Sequence, residues 1–190
     1  GDEIQAAPSV ADIDGMKVIF TGCNDNSFYA VNSDGSLRFT IQTGDKVQSS
    51  PSFLDHNGET YIFFGSNDAM IYAVDSDGNA LSGWPVAVNG TIGGSVVFSD
   101  LDNDGDLDLV INNVNMPPFI YRNNTDRLHD RHFLKIKLRG KGKNSFAIGT
   151  QVTLYPGGQT FYQELAPMRG YQSSVDYSLH FGLGGLNKID

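Results

Sequence analysis

The segment Tyr29-Ala30-Val31-Asn32-Ser33-Asp34-Gly35 recurs as Tyr72-Ala73-Val74-Asp75-Ser76-Asp77-Gly78, and Pro8-Ser9 recurs as Pro51-Ser52, both at an offset of 43 residues. Two separate matches at one offset point to internal duplication. A repeat of this length is one supersecondary unit that buries its apolar side against its neighbour. Gly94-Ser95 continues the offset, so a third unit starts near Val86 or Gly94.

Within each unit the sequence predicts short strands. Met16–Thr21 and Tyr61–Gly65 are apolar runs after a turn, and Phe28–Val31 and Ile71–Val74 end at Ser-Asp-Gly, where glycine accepts the positive φ that a tight turn demands. Third strands are expected around Leu37–Thr43 and Trp84–Val88, and fourth strands at Ser52–Leu54 and Val96–Phe98. About four strands per 43 residues is the pattern of a propeller blade. Helical periodicity is not evident anywhere. The 22 glycines set against 18% charged residues agree with many tight turns.

Charge divides the chain. Residues 1–125 hold 4 Lys/Arg against 17 Asp/Glu, a net of −13, and residues 126–190 hold 9 against 5, a net of +4. A domain boundary near 125 follows. The overall charge of −9 argues against a nucleic-acid partner, which needs clustered basic surface. No apolar run approaches the ~20 residues required to span a bilayer. The single cysteine, Cys23, excludes an internal disulfide framework and is expected to be a buried small side chain. In the second region Phe133–Arg139 alternates, with Ile136 and Leu138 on one face and Lys135, Lys137 and Arg139 on the other. Further strands are predicted at Gln151–Tyr155, Phe161–Leu165 and Leu179–Phe181, the first two joined by Pro156-Gly157-Gly158.

The most informative segment is Asp100-Leu101-Asp102-Asn103-Asp104-Gly105-Asp106-Leu107-Asp108. Calcium takes 6–8 hard oxygen ligands, and alternating carboxylates on a curled loop can converge on one point. Side-chain oxygens are expected from Asp100, Asp102, Asp104 and Asp108, with the backbone carbonyl of Asp106 as a further ligand. The EF-hand pattern fails here, because its twelfth position needs a bidentate Glu and this chain has Ile111. Strands are predicted on both sides, Val96–Phe98 before and Leu109–Asn112 after. The corresponding positions Asp12-Ile13-Asp14-Gly15 and Asp55-His56-Asn57-Gly58 read as plain turns.

Residues 92–113, with Gly94-Ser95-Val96-Val97-Phe98 leading into the aspartate loop, resemble the FG-GAP/VCBS repeat of integrin-α-type propellers. The earlier units, with Gly83-Trp84-Pro85, resemble degenerate blades of that class and of quinoprotein-like propellers. Asn144, Ala147 to Val152, Tyr171-Gln172-Ser173 and Leu179-His180-Phe181-Gly182-Leu183-Gly184 resemble the ASPIC/UnbV domain over roughly residues 130–190. The resemblance implies an all-β chain in two parts: about three blades of a partial propeller at 1–125, then a small antiparallel β-sandwich or barrel-like domain at 126–190. It also implies a secreted, cell-surface or periplasmic protein that binds calcium and recognises a protein or glycan, with no reaction to transfer. Closed propellers generally have at least four blades. The chain is therefore expected to be a piece of a longer protein, short of its tail's last strand, with open edges covered by the remainder of the parent or by another copy.

Two other functions compete with a non-catalytic adhesion or interaction module: a fragment of a quinoprotein-like enzyme and a structural assembly element. His129 and His132 lack further ligands at metal spacing. His180 is expected to be a structural hydrogen-bonding residue, and Ser173-Ser174 with Asp176 lack the strained nucleophile turn of a hydrolase. The basic face of Lys135, Lys137, Arg139, Lys141 and Lys143 is either a site for an anionic glycan or acidic surface, or a solvated edge. Trp84, Tyr29, Tyr61, Phe63, Phe64 and Tyr72 are expected in the core rather than on a sugar platform.

Overall fold

The computed structural model describes residues 1–56, 59–102, 104, 106–112, 117–124, 132–167, 176–186, 188 and 189. By Cα proximity the chain divides into two compact units. The first comprises Gly1–Val97, Val110–Ile120 and Arg169–Ser173, and the second Phe98–Leu109, Tyr121–Met168 and Ser174–Asp190. Regular structure among the described residues is β apart from one short 3-10 turn, Pro156–Gly158. No described helix is long and apolar enough to cross a membrane.

In the first unit the 43-residue repeat is a repeated sheet. Strands β1 (Ser9–Ile13), β2 (Met16–Gly22), β3 (Ser27–Asn32) and β4 (Leu37–Gln42) form a four-stranded antiparallel meander. Strands β5 (Ser52–His56), β6 (Glu59–Gly65), β7 (Met70–Val74) and β8 (Val86–Ala87) form a second. Their registers coincide at the repeat offset: Ser9 faces Phe20 as Ser52 faces Phe63, and Phe20 faces Ala30 as Phe63 faces Ala73. Gly35 and Gly78, each at φ 86°, close equivalent turns by donating to the carbonyls of Asn32 and Asp75. Any side chain at these φ values would be strained, so the Ser-Asp-Gly ending is a requirement of the turn.

Strand β8 is shorter than Trp84–Val88. The chain first bridges Ala80 to Val74, then turns as Trp84 donates to Leu81, and pairs again only at Val86 and Ala87. Pro85 has no N–H to give a ladder, which fits its place at the edge of the resumed strand. Strand β1 was not predicted, because its apolar residues Val10, Ala11 and Ile13 do not alternate with polar ones, and Val10 faces solvent beside Asp12.

Alternate residues of β2, β3 and β6 turn inward and build one core. Val18, Phe20, Phe28, Ile62 and Phe64 have no exposed surface. The Phe28 and Phe64 rings lie parallel with centroids 3.9 Å apart, and Phe64 stacks in turn on Tyr72 at 5.0 Å. Burial of each such ring contributes about 1.5–3 kcal/mol. The aromatics expected in the core are buried or half-buried, with Phe63 packed edge-on to Trp84. Cys23 is buried and its thiol points to the carbonyls of Asp2 and Glu3.

Strands β9 (Val96–Ser99), β10 (Asp108–Ile111) and β11 (Phe119–Tyr121) form a sheet in the order β11-β10-β9. In the second unit β12 (His132–Lys137) pairs antiparallel with β15 (Ser178–Gly184), and β13 (Gln151–Leu154) pairs with β14 (Phe161–Glu164) across the Pro156–Gly158 turn. The two ladders share a core of Leu165, Leu179, Phe181 and Leu183, against which Leu134, Ile136, Leu138, Val152 and Leu154 pack. The alternation read in β12 therefore sends its apolar side inward.

Candidate cation-binding loop

The loop between β9 and β10 begins at Asp100, directly after the last residue of β9, and ends at Asp108, the first residue of β10. Asp108 is 2% exposed, and both of its carboxylate oxygens accept backbone amides: Oδ2 from Leu101 at 3.0 Å and Oδ1 from Asn123 at 2.9 Å. It thus ties the start of the loop to its end and both to the segment after β11. Inside the loop, Asp102 Oδ1 accepts the Asp104 amide at 3.3 Å and Asp104 Oδ1 accepts the Asp106 amide at 3.1 Å. These short-range bonds are what aspartate offers a turning backbone in place of a ladder.

The curl gathers charge. One carboxylate oxygen each from Asp100, Asp102 and Asp104 lies within 4.8 Å of the others, and this is the one such group of metal-ligating side chains among the described residues. Arg122 answers part of it: its Nε lies 2.8 Å from Asp102 Oδ2 and its Nη2 2.8 Å from Asp104 Oδ2. The Arg122 hydrogen bond, followed by the Asp106 amide, holds the Asp104 carboxyl below its ordinary value of 3.8. On the other side Asp100, whose side chain is 2% exposed, faces Lys135 Nζ of β12 at 3.4 Å and His180 Nε2 of β15 at 3.7 Å.

The buried His180 Nε2 has no hydrogen-bond partner among the described residues, Asp100 Oδ2 standing 3.7 Å away. Burial and the Lys135 charge push its imidazole below 6.5, against the opposing pull of Asp176 and Asp100. Its backbone carbonyl is engaged, accepting the Gln163 side chain at 2.7 Å.

Of the five aspartates singled out in the sequence, the structure brings the carboxylates of Asp100, Asp102 and Asp104 together. It gives those of Asp108 to backbone amides, and Asp106 enters the loop's bonding through its amide. Oxygen donors alone, with no sulfur or imidazole among them, suit a hard cation. Asp14-Gly15 is a plain hairpin turn with both residues at positive φ, and Asp55 accepts the Thr60 hydroxyl at 2.6 Å. Asn57 and Gly58, like His129 and residues 171–174, lie outside the described residues. Arg122 was not foreseen, and Lys135 was singled out only as part of a basic face that could meet acidic surface, not as the partner of Asp100. For Arg122 a signal existed: it is one of only 4 cations in the first 125 residues, and it directly follows a short apolar strand.

A protein-family model described as ASPIC and UnbV matches residues 140–190. The match starts at the Gly140 turn rather than near 130 and takes in β13, β14 and β15. A search of curated proteins gives no match.

Proposed function

We propose that this chain is a non-catalytic interaction module of a secreted, cell-surface or periplasmic protein, stabilised by calcium at the Asp100–Asp108 loop. In this reading the repeated four-stranded meanders are β-propeller-type blades of the FG-GAP/VCBS class, residues 1–125 form the blade part, and 126–190 form the appended domain. The observation that carries it is the convergence of Asp100, Asp102 and Asp104 carboxylates on a strand-flanked loop braced by Asp108. Three hard donors fit calcium, with backbone or water oxygens completing a shell of 6–8. Once bound, the ion would join all three carboxylates at one point, where Arg122 reaches only Asp102 and Asp104 and Lys135 only Asp100. Arg122 already lends positive charge to two of them, which marks how much the loop favours a cation.

The test is thermal unfolding of the full chain in calcium and in EGTA. A metal bound only by the native state stabilises it by about 2.7 kcal/mol when free calcium is about 100 times Kd. Calcium should raise the midpoint, Asp102→Ala and Asp104→Ala should abolish the rise, and Arg122→Ala should enlarge it. A midpoint indifferent to millimolar calcium would sink the cation reading.

A further inference from the structure

A second surface of the 140–190 segment carries chemistry that the aspartate loop does not use. Residues 140–149 form a tightly braced loop. The Gly140 amide donates to Ser145 O at 3.1 Å, and the Asn144 side chain donates to Ile148 O at 2.9 Å while accepting the Ile148 amide at 3.0 Å. The Gly149 amide then donates to Leu165 O at 2.9 Å. A Cβ on Gly140 would sit 1.9 Å from the Asn144 carbonyl oxygen, so this closure requires glycine. Ala147 is the loop's buried anchor, and Phe146 and Ile148 on either side of it are left 55% and 47% exposed.

Phe146 is not alone. Its ring stacks on Tyr177, itself 38% exposed, with centroids 4.5 Å apart and planes 25° from parallel. Tyr177 directly precedes Ser178, which faces Lys137 in the β12–β15 ladder. Lys141 and Lys143 stand in the same braced loop as Phe146, and Lys137 and Arg139 lead into it. All four are exposed, and among the described residues none forms an ion pair. A chain of net charge −9 thus sets four exposed cations in the stretch leading up to Phe146, with Lys137 in register with the residue that follows Tyr177.

The geometry points to this surface as a binding site for an acidic polysaccharide, with the ring stack receiving the apolar face of a sugar and the cations its carboxylates. Rings held on a rigid loop lose little entropy on binding, and exposed cations free of intramolecular partners are available to an anion. A nucleic acid also offers stacking and charge, but at one charge per ~1.7 Å of duplex it is repelled far more strongly by an acidic protein than a polymer with one charge per sugar. A flexible acidic peptide would use the cations and leave the rings idle. The site deepens the interaction-module reading by naming a ligand class, yet it involves none of the loop aspartates.

The experiment is affinity electrophoresis of the full chain through gels containing polygalacturonate, dextran or polyglutamate, run in EGTA so that calcium cannot bridge protein and polymer. Polygalacturonate should retard the chain and dextran should not. Phe146→Ala and the double variant Lys141→Glu/Lys143→Glu should each weaken retardation by about tenfold or more, both changes lying on exposed side chains whose loss leaves the fold intact by circular dichroism. No retardation by polygalacturonate overturns the inference. Equal retardation by polyglutamate that ignores Phe146→Ala does so too, since it reduces the surface to an ion exchanger. A flat calcium melt alongside ring-dependent retardation would remove the cation reading and leave this site standing.

Discussion

In the first unit the deepest positions are held by rings, and in the second they include carboxylates. Phe20, Phe28 and Phe64 are wholly buried among aliphatic neighbours, and the surfaces they remove from water need no particular salt or pH to stay removed. Around the β9–β10 loop the buried groups are Asp100 and Asp108, satisfied by Lys135 and by two backbone amides. A buried carboxylate is tolerable only while its partners stay in place, because losing one leaves a desolvated charge. The same chain therefore joins a part whose interior is held by packing to a part whose buried carboxylates depend on charged and amide partners.

The largest effect expected is on the packed side. Phe28→Ala removes a ring stacked between Phe20 and Phe64 and should cost about 3–5 kcal/mol in urea unfolding. The cost should be the same at low and high salt and with or without calcium. A loss that varies strongly with ionic strength would break the contrast between the two units.

On the charged side Asp108→Ala should cost about 1.5–3 kcal/mol, the range for hydrogen bonds made to an ionised group. It removes the acceptor of the Leu101 and Asn123 amides without touching the gathered carboxylates of Asp100, Asp102 and Asp104. Asp108→Asn, which keeps one acceptor oxygen, should recover part of the loss. A calcium response that disappears in Asp108→Ala but survives in Asp108→Asn would assign Asp108 to shaping the loop. An equal loss in both would make it a ligand.

These residues also show where the sequence was legible. The 43-residue offset gave the repeated sheet, since registers and turn glycines follow from the same local pattern in both copies. The aspartate pattern located the loop, because a run of alternating carboxylates has few other uses. It did not say which carboxylates meet. Asp108 is drawn off by amides at Leu101 and Asn123, the second 15 residues away in sequence, and Asp100 by a lysine 35 residues on. Linear spacing encodes faces and turns, whereas those partners are chosen by how β11 and β12 return to the loop. Phe146 was passed over because a single aromatic in a polar turn has no periodicity to mark it. One repeated detail was readable and missed: Asn24-Asp25 and Asn67-Asp68 recur at the same offset, and each aspartate accepts a tyrosine hydroxyl four residues on.

That tyrosine pair gives the smallest and most diagnostic test, because it puts a proton-linked contact inside the packed unit. Tyr29 donates to Asp25 Oδ2 and Tyr72 to Asp68 Oδ2, each at 2.7 Å. Burial, followed by the Asp68 hydrogen bond, pushes the Tyr72 phenol well above its ordinary 10.0, whereas for Tyr29 the Asp25 bond leads the rise. A phenol with a raised native pKa keeps a proton that the unfolded chain releases near pH 10. The stability it contributes is therefore complete below that pH and is lost as pH rises towards the native value. Tyr72→Phe should cost about 0.5–1.5 kcal/mol at neutral pH and should flatten the fall in stability above pH ~10. Tyr29→Phe, at a less buried ring, should cost no more and flatten it less. If Tyr72→Phe left the alkaline profile of the wild type unchanged, the first unit's response to base would have to come from elsewhere, and packing alone would describe its interior.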